Sequence, residues 1–112
     1  MKLPNAGKAI VERAKITDYL LNPAHPDNGG KAAFFDDLGF CLLQWEELAG
    51  AFLKLARTTD VAQTMKSPHG RKYVIIGHIE SPEGKSAMVK TIWIVDSGFG
   101  EARLVTAYPW QK

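Results

Sequence analysis

Near residue 60 the chain changes its hydrophobic period, and that one change limits the folds open to it. Before it, apolar side chains recur at helical spacing. Trp45, Leu48, Ala49, Phe52, Leu55 and Ala56 fall on one stripe, which predicts an amphipathic helix over about Trp45 to Arg57. After it, apolar runs shorten, become β-branched or aromatic, and stand between turn residues. Tyr73 to Ile79 and Met88 to Val95 flank Ser81-Pro82-Glu83-Gly84, where proline in the second turn position and glycine in the fourth favour a type I turn and a β-hairpin. Ser97-Gly98-Phe99-Gly100 is expected to reverse the chain into a strand over Ala102 to Tyr108. A weaker strand, about Val61 to Ser67, precedes the hairpin across Pro68-His69-Gly70.

Upstream, Ile16 to Asn22 reads as a short helix, with Thr17 or Asp18 to cap its start and Pro23 to forbid its continuation. Lys31 to Leu38 reads as a second, closed by Gly39, with Phe34, Phe35 and Leu38 as its buried stripe. The expected fold is therefore α+β: two or three N-terminal helices followed by a four-stranded antiparallel β-meander, in a single domain over residues 1–112. With 46% hydrophobic and 23% charged residues, a disordered or collagen-like chain is excluded. No apolar run approaches the roughly 20 residues of a membrane span, and Met1-Lys2-Leu3-Pro4-Asn5 lacks a signal-peptide core, so the expectation is a cytoplasmic protein without a membrane partner.

The lone Cys41 excludes an intrachain disulfide and a cysteine-based zinc site; with no nearby histidine or basic residue it reads as a small buried hydrophobe. His25, His69 and His78 show no metal-ligand spacing, so neither a metal nor another cofactor is expected. His78 shares strand parity with Val74 and Ile76 and reads as a core-edge residue, His69 as an exposed turn residue, and Trp93 as core. Net charge is +2, unevenly spread: +3 over residues 1–15, −4 over 16–60 and +3 over 61–112. A mildly basic strand half can face a polyanion, although scattered solvated charges give the same counts.

Two segments carry residues with chemical potential. In His25-Pro26-Asp27-Asn28-Gly29-Gly30-Lys31, an imidazole, the amides of Gly29 and Gly30, and the Lys31 ammonium arrive at a helix start, a setting suited to an anion. A lysine there opposes the helix dipole by about 0.3 to 1 kcal/mol, a cost that calls for a compensating use. The plainer alternative is a solvated turn. In the last strand, alternation puts Leu104, Thr106 and Tyr108 on one face and Arg103, Val105 and Ala107 on the other. Arg103 and Thr106 reach one cleft only if a bulge or strong twist intervenes. The pairs Asp36-Asp37 and Glu46-Glu47 diverge around their helices and form no shared acid/base site.

Taken together, Asp18-Tyr19-Leu20-Leu21-Asn22-Pro23, His25-Pro26, Gly30-Lys31-Ala32, Phe34-Phe35, Leu38-Gly39-Phe40, Thr91-Ile92-Trp93 and Arg103-Leu104-Val105-Thr106-Ala107-Tyr108-Pro109 resemble a family of small bacterial domains of unknown function, from Leu3 to Pro109. That family occurs alone and near the ends of larger polymorphic-toxin-like proteins. It is in turn similar to the barnase, EndoU, colicin and RelE group of ribonucleases, whose members place helices before a four-stranded antiparallel sheet and cleave RNA without metal through the 2′-hydroxyl. The resemblance implies His25 as general acid or base, Lys31 and Arg103 as phosphate holders, and Thr106 or Tyr108 as substrate-orienting groups, beside the Gly29 and Gly30 amides that the loop itself offers to a substrate phosphate. RNA and a neighbouring inhibitor protein are the partners it implies. The rival expectation is a non-catalytic protein-interaction module, and a third is a small-molecule binder with an apolar pocket beneath the sheet.

Overall fold

In the computed structural model, which describes residues 1–96 and 100–111, the elements follow the expected order. A π-helical segment, Lys15–Leu20, leads to helix α1 (Lys31–Leu38) and helix α2 (Trp45–Thr58). Strands β1 (Gln63–Ser67), β2 (Gly70–Glu80), β3 (Ser86–Asp96) and β4 (Ala102–Pro109) form an antiparallel sheet in the order β1-β2-β3-β4. The α+β meander is thus present. Of the expected turn before β4, Ser97, Gly98 and Phe99 lie outside the described residues.

Each junction has a local cause. At the end of α1, Gly39 takes φ +110°, its N–H donates to the Asp36 carbonyl (2.9 Å), and Phe40 N–H donates to the Phe35 carbonyl (3.1 Å). That pairing satisfies two helix-end carbonyls, and buried Phe40 folds back toward buried Phe35. Between β2 and β3, Gly84 N–H donates to the Ser81 carbonyl (3.0 Å), closing the predicted tight turn.

The sheet buries one face under the helices. Leu48, Phe52 and Leu55 of α2 face Tyr73, Ile75 and Ile79 of β2, with Trp93, Leu104 and Ala107 from the next two strands completing the core. The close seating of α2 requires Gly77, where an added Cβ would come within 2.7 Å of Leu55 Cδ1. Trp93 is fully buried, as expected, and donates its indole N–H to Thr91 Oγ1 (2.9 Å), while the threonine hydroxyl donates to the Ile75 carbonyl (2.9 Å). Buried polar atoms are satisfied this way, since leaving one unpaired costs roughly 1 to 3 kcal/mol.

Several expectations need correction. Ile16 to Asn22 is not an ordinary short helix. It winds as a wider π-turn in which Leu21 N–H reaches the Ile16 carbonyl (2.8 Å), and Thr17 donates back to the Arg13 carbonyl (3.2 Å) instead of capping. The wide turn keeps Ile16 and Leu20 both buried. On α1, Ala32 takes a buried place expected for Phe34, which is only half-buried. Cys41 is exposed, because Phe40 fills the core position and the extended backbone at Cys41 turns its side chain outward. His78 is exposed too, lying beyond the part of β2 that β1 covers.

Candidate functional site: a groove between two irregular elements

Two insertions of one extra residue face each other across the edge of the sheet. One is the π-turn. The other is in β4, where Ile92 pairs with Thr106 but its neighbour Trp93 pairs with Leu104, leaving Val105 as the extra residue of a β-bulge. The bulge resets the alternation. Ala102, Leu104 and Ala107 are buried, and Arg103, Thr106 and Tyr108 are half-exposed on the other side, which overturns the simple parity that grouped Leu104 with Thr106 and Tyr108. π-turns and β-bulges both recur beside functional sites because each re-aims side chains that a regular element would stack.

Between them lies an open groove of about 700 Å³, walled by Lys15, Asp18 and Tyr19 from the π-turn, His25 and Asp27 from the loop, and Thr106 from β4. Glu12, Ala14 and Val105 complete it. Tyr19 is its hub. The phenol shares a hydrogen bond with Thr106 Oγ1 (2.9 Å), the ring packs 4.9 Å from the His25 ring at 59°, and the ammonium groups of Lys15 and Lys31 stand 5.6 and 5.5 Å from its centroid. Lysine above an aromatic face gains electrostatic attraction.

The loop that carries His25 is braced from within. Asn28 is 2% exposed; its Nδ2 donates to the carbonyls of Tyr19 (2.7 Å) and Leu20 (3.2 Å), and its Oδ1 accepts the N–H of Ala32 (2.9 Å). One side chain thereby closes the π-turn and caps α1. Lys31 donates to the carbonyls of Asp27 and Asn28 (3.1 Å each), which accounts for a cation at a helix start. Asp27 in turn donates its backbone N–H to His25 Nδ1 (3.0 Å). An amide donor needs a lone pair on Nδ1, so the neutral ring carries its proton on Nε2 and is a hydrogen-bond donor there. Gly29 and Gly30 adopt φ +59° and +87°, and their amides have no hydrogen-bond partner among the described residues.

Of the seven residues singled out from the sequence, His25 and Thr106 wall the groove, and Lys31 is tied to it through Asp27 and Tyr19. Gly29, Gly30 and Tyr108 do not line it. Arg103 sits in a separate small cleft with Ile10, Asp96 and Glu101. Its guanidinium pairs with Asp96 and with Glu12 (3.3 Å), and these carboxylates hold its proton more tightly than usual, Asp96 contributing most. Glu12 also walls the groove, so Arg103 touches the site at one remove. Sequence reasoning missed Tyr19, Lys15 and Asn28. The i, i+4 spacing of Lys15 and Tyr19 and the asparagine just ahead of a helix were the available signals. The apolar cleft beside Cys41, about 300 Å³ with Leu21, Ala32 and Phe40 in its wall, lies between helical segments and not beneath the sheet.

No curated protein matches the chain. Among solved structures, it is similar to a chain of the contact-dependent growth inhibition toxin–immunity protein complex from Klebsiella pneumoniae 342, with 17% identity over 96% of this chain and 97% of that one and a TM-score of 0.74. At that identity the likeness establishes a shared fold. Residues 2–111 fit the family model described as a domain of unknown function, DUF6883, and the protein therefore belongs to the DUF6883 family.

Proposed function

We propose that the domain is a metal-independent, endoribonuclease-like module of toxin type that acts on RNA phosphodiesters and is restrained by a partner protein. The observation that carries this reading is the meeting of His25 and Thr106 at Tyr19, in a groove with a lysine beside it. This chain shares its fold with one chain of a complex between a toxin and an immunity protein, and that supports a toxin-system role.

In this reading the phosphodiester lies against Thr106 and Tyr19, with Lys15 supplying charge and His25 Nε2–H donating to a non-bridging oxygen as negative charge develops. The 2′-hydroxyl attacks phosphorus and gives its proton to the Glu12 carboxylate. The bond from phosphorus to the 5′-oxygen breaks, that oxygen takes a proton from water in the open groove, and Glu12 releases its proton to solvent, leaving a cyclic phosphate and a 5′-hydroxyl. Lys31 and Arg103 act as positioning residues, the first through the Asp27 peptide that orients His25, the second through Glu12. Gly29 and Gly30 give the loop the left-handed backbone this needs.

Incubation of the full chain with total RNA in EDTA tests the reading. Cleavage is expected, reduced about 10²-fold by His25→Ala, the scale of losing one preorganised donor, and less by Lys31→Ala. Intact RNA, or cleavage indifferent to both substitutions, removes the proposal. A second reading, a protein-interaction module, is favoured by Leu42 and Leu43, which are 52% and 92% exposed on the turn before α2. If it is right, Leu43→Asp abolishes co-purification with the product of the adjacent reading frame while RNA stays intact.

A further inference from the structure

The sheet face turned away from the helices is only partly buried, and it holds a cation between two aromatic rings. Lys90 lies opposite Tyr108 in the β3–β4 register. Beyond Pro109, Trp110 N–H donates to the Met88 carbonyl (3.1 Å), extending the ladder and bringing its indole alongside. The Lys90 ammonium stands 4.9 Å from the Trp110 ring centroid and 5.7 Å from that of Tyr108. Among the described residues no carboxylate pairs with Lys90, and the nearest acidic group along β3 on this face, Asp96, is occupied by Arg103.

We infer that Tyr108, Lys90 and Trp110 form a nucleotide-stacking subsite for single-stranded RNA on the open face of the sheet. This deepens the proposed function and rests on it. Three features point to a nucleic acid strand. The two rings are half-buried, hence ordered yet accessible. A flat base gains from stacking on such rings whatever its identity, and the lysine it displaces is free to meet the adjoining phosphate. Position is the third. Thr106 and Tyr108 are two residues apart in regular register beyond the bulge, so they share a face about 7 Å apart, the stride of one extended nucleotide. A strand whose phosphate rests at Thr106 therefore delivers its neighbouring base to the Tyr108–Trp110 pair.

The test uses the full chain and a fluorescein-labelled 2′-O-methyl oligoribonucleotide, which binds without offering the attacking hydroxyl. Fluorescence anisotropy is expected to show binding that Trp110→Ala weakens about tenfold, within the range of removing one stacked base, and that Trp110→Phe largely restores. Lys90→Gln is expected to weaken binding and flatten its salt dependence by about one charge. Absence of binding, Trp110→Ala binding as the parent does, or displacement of the oligonucleotide by poly-aspartate at equal charge overturns the subsite; the last outcome marks the face as one for acidic protein. The nuclease reading fails separately. If total RNA stays intact while Trp110-dependent binding persists, the subsite stands without catalysis. If RNA is cleaved and Trp110→Ala changes nothing, the groove stands without the subsite.

Discussion

The carboxamide of Asn28 satisfies two carbonyls at the end of one element and an amide at the start of the next, all within a buried pocket. Alanine there leaves those groups unpaired. Asn28→Ala is expected to cost about 2 to 3 kcal/mol, combining a lost helix cap with orphaned buried carbonyls, and to lower the urea midpoint without changing the slope. Asn28→Asp keeps the acceptor for Ala32 but aims a carboxylate at two carbonyls, so it is expected to be no better than alanine. Asn28 stood in plain view in the sequence. Gly29, Gly30 and Lys31 read as an anion site because free amides and a cation suit one, whereas the Lys31 ammonium donates to the loop's own carbonyls. His25 lies half-buried in the same short loop. The Asp27 amide at its Nδ1 selects the tautomer of the neutral ring.

At the level of elements, regular pieces were legible and irregular ones were not. Gly39, Gly84 and Pro23 mark ends that obey local backbone rules, so α1 and the central hairpin fall where the sequence puts them. The π-turn and the β4 bulge depend on what packs against them, and neither has a local residue signature; Val105 is as good a regular strand residue as any. The candidate groove hides between those two elements, so it had to be seen in three dimensions. Gly70 offers the converse case, a local residue fixed by a long-range neighbour. Its φ is +144°, and an added Cβ would lie 2.1 Å from the Val95 carbonyl oxygen on β3. Gly70→Ala is therefore expected to destabilise by about 3 kcal/mol or more, through combined strain and overlap, read as a drop in the thermal midpoint.

Across the whole molecule, the ends of the chain are tied to distant places. Lys2 donates to Asp60 Oδ1 (2.6 Å), and this hydrogen bond with the ammonium's charge holds the Asp60 carboxyl below its ordinary range. A carboxyl lowered on folding contributes stability above its unfolded pKa of about 3.9 and loses that contribution as the pH falls through its folded value. The pair is exposed, so the effect is small. Asp60→Asn is expected to lower the thermal midpoint slightly at pH 7 and to match the parent once the pH lies below the folded-state value of this carboxyl. No helix of the described residues is long and apolar enough to cross a membrane. At the opposite edge, Ile10 runs parallel to β4, accepting from Leu104 N–H (3.0 Å) and donating to the Ala102 carbonyl (2.8 Å). Ile10 thus pairs with a strand that follows the other three in the chain, over a separation that makes closure slow. The groove has only one wall until residues 102–109 have docked, so it is completed only when this long-range closure has been made.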